Sequence, residues 1–338
     1  MSIITVLYAI IIFCLLIFIH ELGHLIAAKS VGIKVNEFAL GMGPLIFKFK
    51  KGETDYALRA LPIGGACAME GEDKDSEDPR GFNNKGFFAK AITVVAGSFM
   101  NVLLAVLLLS GIVFSFGTPG TTVDLVGEGS PAEAAGLRSG DRIVAISGIE
   151  IEKWEDVGYA IEHSDGDELN LTVLRDGEAT EISSGYYEDE GGARKIGISP
   201  GMEHRFSNIF ASIGRGAVAT FEMGRSMIVI IGQLFTGKAA ISDLTGPVGI
   251  VYVVSDVAKN GIGQLIQLAA LISLNLGIIN MLPLPALDGG RLLFLIIRKF
   301  TGKVITDEIE GRIHMVGLLL LFGLMIFVTF QDVTRFLI

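Results

Sequence analysis

The sequence predicts a polytopic α-helical membrane protein with a small α+β domain inserted between its membrane parts. Three observations carry this. Half of the residues are hydrophobic, only 19% are charged, and mean hydropathy is +0.56; soluble proteins average about a quarter charged. Four stretches reach the length a bilayer crossing needs, roughly 20 apolar residues: Ile3 to about Ala28, about Ala91 to Phe116, about Ile262 to Leu282, and about Met315 to Phe330. Between the second and third lies an acidic segment, Thr118 to about Arg205, with turn signals at short intervals. The formal net charge of −10 argues against nucleic acid as a partner. Cys14 and Cys67 suggest no disulfide framework and read as small apolar fillers.

The first span lacks a basic leader and a small-residue cleavage site, so it reads as retained rather than removed. It ends in His20-Glu21-Leu22-Gly23-His24. On a helix, residues i and i+4 share a face, so both imidazoles can reach one metal ion. Glu21 lies about a quarter turn away, placed to hold a water against that ion. Such groups are costly at membrane depth, which makes a functional site the default reading.

Next, Lys48 to Glu70 reads as paired strands, with the chain turning at Pro62-Ile63-Gly64-Gly65 and running back through Ala66-Cys67-Ala68-Met69. A water-facing tip is normally polar, and this one is apolar. It either re-enters the membrane towards the site, against protein or a wet cavity, or lies on the membrane surface. In the second span, Gly97 and Asn101 stand four apart. The spacing suits close helix packing, and Asn101 at that depth needs a partner. It reads as structural or substrate-facing rather than as a zinc ligand.

The acidic insert carries Ser130 to Ile146 as a short helix, a glycine turn and a strand, then a hairpin closed by Asp176-Gly177. After it, Phe206 to Phe235 sets Ile209, Ile213, Ala217, Phe221, Met227 and Ile231 on one stripe, with Arg215, Glu222 and Arg225 elsewhere. That pattern predicts an amphipathic helix in the outer interface, with a tilted fifth span as the alternative. Span three leads to Asn275 and then to Asn280-Met281-Leu282-Pro283-Leu284-Pro285-Ala286-Leu287-Asp288-Gly289-Gly290-Arg291. Two prolines break the helix, and Asp288 is either a third metal ligand in a cavity-lining turn or a helix cap. The basic residues cluster between spans one and two, from Lys29 to Lys90, and between spans three and four, from Arg291 to Arg312. Both loops are expected in the cytoplasm, with the acidic insert outside.

Together, the H-E-L-G-H on a first span, Gly97-x-x-x-Asn101, the Gly136-Leu137-Arg138-Ser139-Gly140-Asp141 stretch and the late N-x-L-P-x-P-x-L-D-G-G resemble the site-2 protease family of intramembrane zinc metalloproteases. The nearest resemblance is to the bacterial RseP-like group. The resemblance implies Zn2+ held by His20, His24 and Asp288, with Glu21 as general base. It implies a membrane re-entrant β-hairpin and a PDZ domain as the insert. It also implies substrate backbone held by Asn280, less securely Asn275, and by the hairpin at Gly64, Gly65, Ala66 and Cys67, with Asn101 nearby. The domains expected are 1–117, a membrane part; 118–204, an extracytoplasmic PDZ domain; 205–261, an interfacial helix and Gly-Pro-Val-Gly-Ile loop; and 262–338, a second membrane part. Longer relatives carry two PDZ domains, and this chain has room for one.

The expected function is hydrolysis of peptide bonds within transmembrane segments of membrane-anchored substrates in a bacterial cytoplasmic membrane. The substrates implied are anti-sigma-factor-like regulators already cut by another protease, or remnant signal peptides. Two rivals remain open from the residues alone: a catalytically inactive metal-binding membrane scaffold, and a polytopic metal transporter.

Overall fold

The computed structural model describes residues 3–72, 74–166, 168–189, 192–203, 208–237, 245–302 and 307–336. The expected domain boundary at 204/205 and the helix start at Phe206 lie outside these, as do the side chains of Pro62 and Ile63. The chain forms two compact units, residues 113–212 and the remainder.

The larger unit begins with α1 (Ile3–Ser30), followed by β1 (Val35–Lys51), β2 (Thr54–Met69) and α2 (Phe87–Phe116). β1 and β2 pair antiparallel from Lys51 opposite Thr54 to Val35 opposite Met69. The pair also folds across itself: Glu37 lies opposite both Ala68 and Asp55, and Leu40 opposite both Gly65 and Leu58. The hairpin tip is therefore Gly52-Glu53, not the expected Pro62–Gly65. The physical reason is that Gly52, at φ 63, and its charged neighbours supply a left-handed, water-compatible turn. Gly64 is only a bend within β2, at φ 77.

After the insert come α5 (Ile209–Phe235), α6 (Pro247–Val257), α7 (Ile262–Asn280), α8 (Asp288–Thr301) and α9 (Asp307–Phe336). Close approach of backbones holds these helices together. A Cβ on Gly23 of α1 would collide with the carbonyl of Ala96 on α2. A Cβ on Gly277 of α7 would lie 2.9 Å from the Ser98 carbonyl, and Ser273 Oγ donates to the Asn101 carbonyl at 2.8 Å. Ala9, Ile12 and Leu16 of α1 pack with Val254 of α6 and Leu265 and Ala269 of α7. Polar groups such as Ser98, Asn101 and Ser273 are buried, whereas Leu7, Ile11, Phe99, Leu107, Leu320 and Phe330 face outwards. This inversion of the soluble pattern is what a hydrocarbon solvent demands.

Five helices, not four, are long and apolar enough to cross a membrane; the fifth is Ile209–Leu234 within α5. The apolar stripe, including Ile209, Ile213 and Phe221, is exposed rather than packed on protein. The opposite, small-residue face packs instead. Gly216 meets Ser110 of α2, and Gly224 meets Leu274 and Ile278 of α7. Small side chains let backbones approach, which outweighs burial of bulky groups when lipid is equally apolar.

The smaller unit contains β3 (Thr118–Val126), α3 (Pro131–Ala134), β4 (Arg142–Ile146), β5 (Ile149–Glu150), α4 (Trp154–His163), β6 (Leu169–Arg175), β7 (Glu178–Ser184), β8 (Tyr187–Glu188), β9 (Arg194–Lys195) and β10 (Ile198–Glu203). The main sheet runs β10-β3-β4-β6-β7, with β5 attached to β4. Asp176 and Gly177, at φ 52 and 87, close the β6–β7 hairpin as a D-G pair should. Ile143, Ile146, Leu169, Leu171 and Val173 alternate inwards against Val157 and Ile161 of α4.

Asp141 is buried beside this core. Arg175 grips it with two 2.7 Å bonds, and the Arg138 amide donates a third at 2.8 Å. These donors hold its carboxyl below the usual carboxylate range. A depressed pKa contributes stability above the unfolded value of about 3.9 and loses it as pH falls through the folded value. Asp141→Ala should therefore destabilise this unit by about 2 kcal/mol at pH 7. Its cost should shrink below about pH 4. Hydrogen exchange of β4 and β6 in the full chain checks both; equal protection in the two forms at pH 7 would refute the assignment.

Candidate metal centre

The last turns of α1 set His20 and His24 on one face, their Nε2 atoms 3.3 Å apart. Asp288, the first residue of α8, brings Oδ2 to 3.3 Å from His20 Nε2 and 3.4 Å from His24 Nε2. Among the described residues this is the one His/Cys/Asp/Glu group that could hold a metal. His24 and Asp288 are 264 residues apart in sequence.

α2 fixes the rings. His24 Nδ1 donates to the Thr93 carbonyl at 2.8 Å, so in the neutral ring Nε2 carries a lone pair. His20 Nδ1 faces the Asn101 amide at 3.3 Å, and Asn101 Oδ1 has no other partner. With the amide turned so that Oδ1 accepts from Nδ1–H, both groups are satisfied and His20 Nε2 is also freed. Gly97 makes room: a Cβ there would overlap His24 Nε2 and lie 2.8 Å from His20 Cε1. Two lone pairs thus converge on a carboxylate oxygen that has no hydrogen-bond partner. Three acceptors facing one another without a donor fit a cation, and the nitrogen and oxygen donor set suits zinc.

The proline turn delivers Asp288. α7 ends at Asn280, whose Nδ2 lies 3.4 Å from His20 Nε2. Gly289 and Gly290 let the first turn of α8 rest on the carbonyls of Met281, Leu282 and Leu284, where any Cβ would collide. Arg291, three residues after Asp288, pairs with Glu72 just beyond β2.

β2 passes over Glu21. A Cβ on Gly65 would be 2.7 Å from Glu21 Cγ, and the backbone of Cys67 hydrogen-bonds to Glu21. Among the described residues, no strand pairs with the other edge of 65–68. Ala66 is exposed, and Gly64 lies beside Met42. Asn275 is exposed on α7 and is not brought to the cluster. Asn101 lies at His20 Nδ1, on the ring's far side from Asp288. Thr93 was not anticipated, because it acts through a main-chain carbonyl that any residue type offers.

Gly97→Ala should therefore weaken metal binding by about tenfold to a hundredfold, the usual cost of disturbing the groups that orient a ligand. Chelator competition on purified protein measures it. Wild-type affinity would mean that α2 does not set the ring positions.

The family model described as peptidase family M50 matches residues 8–324. A Clostridium acetobutylicum protein, provisionally named a zinc metalloprotease, is 37% identical over 98% of each chain. The zinc metalloprotease RasP of Geobacillus kaustophilus is 31% identical over 97% of each chain. The regulator of sigma-W protease RasP of Bacillus subtilis is 32% identical over 98% of each. A PDZ domain of an SdrC-like protein from Listeria innocua is 27% identical, covering 26% of this chain and 99% of that one. Its TM-score of 0.23 is too low to carry an argument about fold. The chain belongs to peptidase family M50 and is a site-2 type intramembrane zinc metalloprotease.

Proposed function

We propose that His20, His24 and Asp288 hold the zinc, that Glu21 is the general base, and that β2 holds the substrate extended. The observation that carries this is the convergence of two imidazole lone pairs and an unpartnered carboxylate oxygen within 3.4 Å. Zinc bound there supplies a Lewis acid for the scissile carbonyl and acidifies water. Glu21 accepts the proton of the attacking water and passes it to the departing amide nitrogen. Asn280, beside His20, offers an amide to substrate backbone. Asn101 and the Thr93 carbonyl keep the ring nitrogens of the histidines turned towards the ion.

A substrate helix hides its amides in i→i+4 bonds and must be drawn out to be cut. The open edge of residues 65–68 supplies main-chain groups for that by strand addition. The alternation of the ladder decides which ones. The Cys67 N–H donates to Glu21, so the amides of Gly65 and Cys67 point away from β1, and that of Cys67 is already held by Glu21. Those of Ala66 and Ala68 point to β1.

The substrates are membrane-anchored regulators or remnant signal peptides, trimmed beforehand by another protease. The sigma-W regulator named for the Bacillus subtilis relative supports the regulator class. The insert is a PDZ domain on the outer side, and the Lys29–Lys90 loop is cytoplasmic, by the distribution of basic residues. α1, α2, α7 and α9 cross the bilayer. α5 lays its small-residue face on α2 and α7 between Gly216 and Met227.

Glu21→Gln should retain zinc and lose about a hundredfold to ten-thousandfold in cleavage of a model transmembrane substrate. Cleavage at the wild-type rate would remove Glu21 from the base role, and metal flux into liposomes without peptide product would favour a transporter.

A further inference from the structure

α9 carries a side chain that the proposed chemistry leaves unused. His314 Nδ1 accepts the backbone N–H of Ala286 at 2.7 Å. Ala286 stands two residues before Asp288 and has φ 72, a left-handed backbone disfavoured for any residue with a Cβ. Such a conformation persists only where its surroundings hold it. One turn along α9, Gly317 brings the helix onto the same turn; a Cβ there would be 2.9 Å from the Pro285 carbonyl.

The other side of the imidazole faces α8. With Nδ1 accepting, the proton of the neutral ring sits on Nε2, which lies 3.6 Å from Glu310 Oε1. Glu310 Oε2 pairs with Arg298 of α8 at 2.5 Å. Phe294, buried on α8, meets the His314 ring edge-on at 5.5 Å between centroids. The turn before Asp288 and the helix after it are therefore both tied to one residue of α9.

We propose that His314 is a positioning residue for catalysis: its Nδ1 lone pair fixes the left-handed turn at Ala286, and so the aim of Asp288 at His20 and His24. This rests on the reading of Asp288 as a zinc ligand. The geometry makes the acceptor atom, rather than the bulk of the ring, the functional part. Asparagine places an oxygen near the position of Nδ1, whereas leucine fills space without an acceptor. Glycine at 286 adopts the left-handed backbone without strain, so it should reduce the need for His314.

The test measures kcat and KM on a model transmembrane substrate, and zinc affinity by chelator competition, using the purified full chain. His314→Leu should lower kcat and zinc affinity by about tenfold to a hundredfold, with KM within about threefold of wild type. His314→Asn should stay within about threefold of wild type on all three. Ala286→Gly added to His314→Leu should recover a large part of the loss. If His314→Leu does not fold, His314→Phe, which keeps the ring contact and lacks the acceptor, takes its place with the same expectation. Wild-type kinetics in the leucine form overturn the proposal. So does an asparagine form as impaired as the leucine form, or an Ala286→Gly double variant with no recovery. Asp288→Ala measured alongside separates the two claims: zinc retained in that form refutes the ligand reading, whereas zinc lost there with an unaffected His314→Leu refutes only the positioning role.

Discussion

Three electron-pair donors are held within 3.4 Å of one another at the apolar heart of the chain, and the larger unit is organised around that repulsive cluster. In hydrocarbon, such groups have no water to turn to. A cation converts the repulsion into attraction, and the surrounding backbone must hold the donors steady before it arrives. The two histidines come from one helix and the carboxylate from another. Their convergence is a statement about helix packing as much as about chemistry.

Small residues make that packing possible. Gly23 admits the Ala96 carbonyl, Gly97 admits the histidine rings, and Gly277 admits the Ser98 carbonyl. Gly289 and Gly290 seat the start of α8 on the proline turn. Bulky side chains are sent outwards, where lipid accepts them at no cost. The same rule explains α5, whose glycine face meets α2 and α7 while Phe210 and Phe221 face away.

The chemistry was more legible in the sequence than the packing. His20, His24 and Glu21 announce themselves through helical spacing, and Asp288 through the prolines that break α7. Asn101 and Gly97 were visible as a pair, but their direction was not; that required knowing which face of α2 meets α1. The hairpin tip was misplaced because Pro62–Gly65 carries stronger turn signals than Lys51-Gly52-Glu53. The competing demand on Gly65, closeness to Glu21, acts between elements far apart in sequence. Thr93 and Ala286 act through main-chain atoms and leave no residue-type signature. His314 is a lone histidine in an apolar helix, and only its contact with a strained residue 28 positions away distinguishes it.

The central claim is that two imidazoles and a carboxylate, with no thiolate, share one zinc ion. Zinc-edge X-ray absorption on the purified full chain tests it most directly. The account predicts two imidazole nitrogens and oxygen donors at about 2.0–2.2 Å. A sulfur shell at about 2.3 Å, which would bring in Cys67 beside Glu21, or scattering from a single imidazole, would contradict it.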